Sequence, residues 1–203
     1  MSLADLTREH SAPIHEIASY LDGLSPSERL AQTRTLDRAS QRRLYRLAAA
    51  SEPLTLDHFV PAGIAPREPV IHDGRNTLPL LPNLKLFQKR FARPEGEHQD
   101  RLFGYNESPF LSTVGPGFFC AVPTAGDKEW EKRGAVVVDY FQIPDGPVPA
   151  GWPEVIPNEK GLQYFVYRHT RDFMRKVSKH VSIGAAYKVE KALDHYFILC
   201  REG

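Results

Sequence analysis

The sequence is poor in the residues that announce a chemistry. It has only two cysteines, Cys120 and Cys200, too few for the disulfide framework of a small secreted domain. No apolar run approaches membrane-spanning length, and the opening residues lack a charged-then-apolar signal pattern. A cytoplasmic protein with no membrane partner is therefore expected. The net charge is +1, so no global field draws the chain toward polyanions, and a nucleic-acid partner is not expected. There is no phosphate-cradling glycine loop, no serine nucleophile elbow and no paired-cysteine metal motif, so neither a cofactor nor a metal is predicted.

What is present reads as an ordinary globular chain. Of its 203 residues, 41% are hydrophobic and 25% charged, enough apolar surface to offset the ordering entropy. The order of local signals predicts one domain over 1–203, with a helical N-terminal part (1–52) and a sheet-rich part (53–203). Ser11 is placed to cap a short helix that stops at Asp22-Gly23. Ser25-Pro26-Ser27-Glu28 is a capping-box start with proline where its missing N–H costs nothing. Leu36, Ala39, Leu44, Leu47 and Ala48 extend that helix to about Ala50.

Further on, Leu54–Val60 reads as a strand, 61–82 as a proline-rich irregular stretch with a turn at His72-Asp73-Gly74, and Asn83 to about Arg93 as a short helix. A hairpin is predicted from 110–114 and 118–122 around Gly115-Pro116-Gly117. Gly134–Ile143 is the strongest strand, and 144–157 a stiff proline-rich loop. Leu162–His180 carries strand composition at its start but helical spacing through Leu162, Phe165, Val166, His169, Phe173 and Val177, and is assigned as a late helix at about 160–180. Val181–Lys188 and His195–Cys200 close the chain as an antiparallel pair. Apolar residues on both faces of the last strand place it inside the protein. The fold class is α+β, with N-terminal helices packed on a curved, mostly antiparallel sheet. One form of that architecture is a cone-like half-barrel with an internal pocket.

Four groups of residues could carry chemistry. Arg34, Arg38, Arg42 and Arg46 recur every four residues on the second helix, and Arg171 and Arg175 repeat the theme later; guanidinium groups suit an anionic small molecule or an acidic protein. The plain alternative is a solvated basic face balanced by the acidic segments 95–100 and 127–131. Cys120 could serve as a nucleophile if His169 or another C-terminal histidine held its proton, although a cysteine between Phe118 and Val122 reads equally as core. The pairs Asp57-His58, His72-Asp73 and Asp194-His195 read as surface and turn residues rather than metal ligands.

An aromatic pocket in the second half is the fourth, with Asp139 beside it. A buried Asp139 would need a partner. Trp152 anchors a loop that could cover such a pocket. The leading expectation is a non-catalytic binding or interaction domain for an anionic or amphipathic partner. The alternatives are a small enzyme using Asp139 or Cys120 with a histidine, and a subunit of a homo-oligomer.

Overall fold

A computed structural model describes residues 1–8, 12–96, 100–108, 115–159 and 167–202. The order of elements begins with α1 (Leu3–Leu6), α2 (Ile14–Asp22), α3 (Pro26–Thr33), α4 (Arg38–Leu47) and α5 (Leu56–Phe59). Then follow strands β1 (Val70–Asn76), β2 (Leu86–Ala92), β3 (Leu102–Glu107) and β4 (Phe119–Pro123), and the short helix α6 (Lys128–Glu131). The chain ends with β5 (Val136–Asp139), β6 (Thr170–Lys176), β7 (Val181–Lys188) and β8 (Lys191–Arg201).

The eight strands form a closed antiparallel barrel in sequence order, sealed by β1 against β8 (His72 opposite Arg201, Asn76 opposite Phe197). The sheet is therefore a complete barrel and not the half-barrel expected. Closure removes every open edge, which is the physical return on pairing the first and last strands.

Side chains alternate between lumen and outside along each strand. Phe91, Phe119, Val136, Val138, Tyr140, Met174, Phe197 and Leu199 form one hydrophobic cluster in the barrel interior. Phe59 and Val60, at the end of α5, belong to the same cluster and fill the end of the barrel where Phe59 stacks on Phe91 at 4.7 Å. Room for the large rings comes from glycines directly across the ladder. Gly74 faces Phe87, Gly104 faces Phe119, and Gly184 faces Phe197. A Cβ on Gly104 would lie 2.3 Å from the Phe119 ring, so each pair admits only one large side chain.

A second cluster lies outside the barrel wall. It joins Leu3, Ile17, Leu21 and Leu44 of the helical segment to Val181, Ile183, Ile198 and Cys200 of β7 and β8. Both faces of β8 are thus covered, as its two-sided apolar pattern predicts.

The local start signals are obeyed. Ser25 accepts from the Glu28 amide and Glu28 reaches back to Ser25, completing the capping box of α3. The second helix, however, is two. α3 stops at Thr33, and α4 restarts after Asp37 caps the Ser40 amide, with the apolar Leu36 buried in the link. Helix α2 ends at Asp22 with Gly23 at its cap, as expected; the Ser11 cap lies outside the described residues.

The β-rich half departs further. The segment read as a strand at Leu54–Val60 holds α5, and the helix expected from Asn83 to Arg93 is the strand β2. His72-Asp73-Gly74 is the middle of β1 and not a turn. The late helix is also overturned over its described part, since Thr170–Lys176 is β6. Residues 160–166, and 110–114 of the predicted hairpin, lie outside the described residues. β5 and the β7–β8 pair fall where expected, but the joining turn is only Val189-Glu190, both with positive φ (46° and 65°). This is the left-handed backbone that a two-residue hairpin requires, adopted here without glycine.

Candidate functional site

The barrel is packed at one end and hollow at the other. Where β1, β3, β5 and β7 end, the lumen opens into a cavity of about 420 Å³. Its wall is apolar, with Leu78, Leu80, Leu84, Phe87, Phe197 and Leu193 around the mouth. The first three lie on the chain that links β1 to β2.

At the floor of this cavity sits a polar cluster drawn from four strands or their ends. Lys89 on β2 is 2% exposed. Its ammonium donates to Asn106 Oδ1 at 2.8 Å and Tyr140 Oη at 2.5 Å, and lies 3.3 Å from Asp172 Oδ2. Asn106, on β3, is itself fixed by donating to the Gly117 carbonyl at 3.1 Å. The Tyr140 ring stacks on Tyr167 at 5.1 Å. The rings of Phe119, Tyr140 and Phe197 surround the Lys89 nitrogen, their centroids at 4.8, 5.0 and 5.0 Å.

The electrostatics follow from burial. Desolvation pulls the Lys89 ammonium below its usual range, against the opposing pull of Asp172. Desolvation likewise pushes the Asp172 carboxyl up, against Lys89 and Tyr140. Burial thus works against both charges, while each partner works to keep the other's. Burial also holds the Tyr140 and Tyr167 hydroxyls well above the ordinary phenol range, so both are neutral donors.

The residues singled out in the sequence fall elsewhere. Cys120 and Asp139 face each other across β4 and β5, on the outer face of the barrel wall. Burial pushes the Cys120 thiol up to about 12, and among the described residues no histidine hydrogen-bonds to it. Asp139 is 1% exposed and has the partners its burial demands: the Phe141 amide at 2.9 Å, Gln142 Nε2 at 3.3 Å and Arg171 Nε at 3.2 Å. His169 stacks on Phe141 at 5.2 Å, also outside the lumen.

The arginines divide between exposure and structural pairing. Arg34 pairs with Asp73 at 3.2 Å. Arg38 and Arg42 both clamp Asp194 in the β8 strand. Arg46 is exposed. Arg171 lies over Trp130 and Phe141 while bridging Asp139 and Glu190. Arg175 donates to the carbonyls of Tyr45, Lys132 and Arg133, tying α4 to β6. Trp152 packs edge-on against Tyr105 at 5.0 Å on the barrel's outside and does not cover the cavity.

Among the aromatic residues of the second half, Tyr140, Tyr167, Tyr196 and Phe197 line the cavity; Tyr164 and Phe165 lie outside the described residues. Sequence reasoning did not single out Lys89, Asn106 or Asp172 as site residues. A signal was there: Phe87-Gln88-Lys89-Arg90-Phe91, read at period two, puts a lysine between two inward phenylalanines. A charged residue in an otherwise apolar stripe is the mark of a buried pair or a site.

The fold and cavity together define an up-and-down barrel with a ligand-sized lumen. Compared with protein-family models, curated proteins and solved structures, the chain matches none.

Proposed function

We propose that this chain binds a small amphipathic molecule inside its barrel, with the apolar body against the leucines and phenylalanines of the mouth and one uncharged polar group at the floor. The observation that carries this reading is the cavity of about 420 Å³ with an apolar wall and convergent Lys89, Tyr140 and Asn106. Its volume falls in the range of small-molecule sites, and eight strands make a barrel just wide enough for one small ligand.

The floor also bears on the ligand's charge. Lys89 already has a counter-charge in Asp172. A carboxylate entering the site would meet that acid and would be desolvated beside a cation that is already paired. A hydroxyl or carbonyl can exchange hydrogen bonds with the cluster at no such cost. This narrows the anionic or amphipathic partner of the sequence reading to the amphipathic, uncharged kind.

The test is a fluorescence titration with prodan, a naphthalene carrying a neutral ketone. Saturable one-to-one binding with a blue shift is expected. Dodecanol should displace it better than laurate. Ala186→Phe, which fills the cavity from β7, should abolish binding while the far-ultraviolet spectrum is unchanged. Absence of saturable binding, or binding indifferent to Ala186→Phe, would overturn the reading.

A further inference from the structure

A buried lysine needs a reason. Replacing a buried ion pair by apolar residues of similar size is often neutral or stabilising, so the fold itself does not require Lys89 and Asp172. The cluster also differs from a purely structural pair in its position. It faces a cavity that opens to solvent, and it sets a primary amine beside a carboxyl and a phenol at hydrogen-bonding distance.

We propose that Lys89 captures an aldehyde carried by the apolar ligand, forming an imine in the barrel lumen. This rests on the proposed binding function and names the ligand class. Proton transfer from the Lys89 ammonium to Asp172 leaves a neutral amine and a carboxylic acid. The amine nitrogen attacks the carbonyl carbon, and the carbonyl oxygen takes the proton of Asp172; the nitrogen returns one of its own protons to the carboxylate, leaving a neutral carbinolamine. Asp172 then protonates the departing hydroxyl, which leaves as water. The nitrogen keeps a double bond to carbon and gives its remaining proton back to Asp172. The balance is amine plus aldehyde giving imine plus one water, with no oxidant or reductant.

Each part of the step has a resident group. Asp172 Oδ2 lies 3.3 Å from the amine and 3.3 Å from the Tyr140 hydroxyl, so Tyr140 can hold the carbonyl oxygen while the acid moves the proton. Asn106, anchored on Gly117, fixes the amine through its Oδ1. The Phe119 and Phe197 rings, 4.8 and 5.0 Å from the amine, hold it away from bulk water, so Asp172 at 3.3 Å is the base in reach of its proton. An apolar aldehyde bound with its body at the mouth presents its head to the floor.

The test uses the full chain with one equivalent of cinnamaldehyde and sodium cyanoborohydride at neutral pH, followed by intact-mass measurement and peptide mapping. One adduct is expected, heavier by the aldehyde less one oxygen atom and located at Lys89. It should form at least about tenfold faster than at exposed lysines such as Lys128, Lys132 or Lys191, because the lumen holds the aldehyde beside the Lys89 amine whereas an exposed amine meets it only by diffusion. Ala186→Phe should remove the Lys89 adduct although Lys89 is intact.

Adducts spread over the exposed lysines with none at Lys89 would overturn the proposal. Cinnamyl alcohol, which cannot condense, separates the two failures. If it displaces prodan while the aldehyde leaves Lys89 unlabelled, the imine is refuted and the binding pocket stands. If neither compound binds, both fall.

Discussion

Lys89 and Asp172 are 83 residues apart in the chain and 3.3 Å apart in the barrel lumen, both almost fully removed from solvent. Breaking such a pair leaves one charge stranded. Lys89→Met should destabilise the protein by about 3–5 kcal/mol, whereas Lys89→Met with Asp172→Asn should recover most of that loss. Urea unfolding of the single and double variants measures the coupling. Equal losses in both would show that the two residues do not act as a pair.

The cross-strand glycine at position 104 is a steric requirement. Its added Cβ would meet the Phe119 ring at 2.3 Å and the Arg90 backbone oxygen at 2.7 Å, and backbone cannot step aside. Gly104→Ala is expected to cost about 2–3 kcal/mol of stability, as overpacked cores do. Phe119→Leu in the same chain should relieve only the ring contact, leaving part of the cost visible in the denaturation midpoint.

Acid should weaken the packed end of the barrel. His72 donates its Nε2–H to the Phe59 carbonyl at 2.9 Å and is fully buried; desolvation pulls it down to about 3. His58 is also pulled well below its usual range, by desolvation first and then by His72, Arg201, Lys176 and His180. Below pH 6.5 the unfolded chain takes up these protons and the folded one does not. Stability is therefore retained above about 6.5 and falls as pH drops toward 3, by about 1.4 kcal/mol per pH unit for each histidine. His58→Leu should reduce that slope by one such increment in urea melts at several pH values. A slope unchanged in this variant would exclude His58 as a contributor.

Arg175 is expected to matter more than the arginines of α4. Its three nitrogens serve three carbonyls, including Tyr45 in the last turns of α4, where a cation also meets the negative end of the helix. Lysine cannot span that set. Arg175→Lys should cost about 2 kcal/mol, in line with the loss of charged hydrogen bonds. By contrast, Asp194→Asn removes both exposed pairs to Arg38 and Arg42, and the melting temperature should stay close to that of the parent at moderate salt. Thermal melts of the two variants decide between these roles.

The parts of the fold that local chemistry determines could be read directly. The capping box at Ser25 and Glu28 sets the start of α3, Gly23 follows the end of α2, and the run of valines at 136–138 is a strand in any context. The two-sided apolar pattern of β8 also announced burial on both faces. Other elements were misread for a single reason. A barrel wall covered inside and out hides the period-two alternation of its strands, because Phe173 outside and Met174 inside are both buried. With alternation lost, helical spacing won a comparison that tertiary packing reverses at Leu86–Ala92 and Thr170–Lys176.

Composition and local pattern were enough to determine that this chain is α+β and built around an antiparallel sheet. Only the tertiary structure decided that β1 meets β8, that the lumen stays hollow at one end, and that Lys89, Asn106, Tyr140 and Asp172 converge there. The reason is physical. Caps and turns are satisfied within a few residues, whereas barrel closure and a buried charge cluster are satisfied only by partners far along the chain, and no local pattern names a partner at that distance.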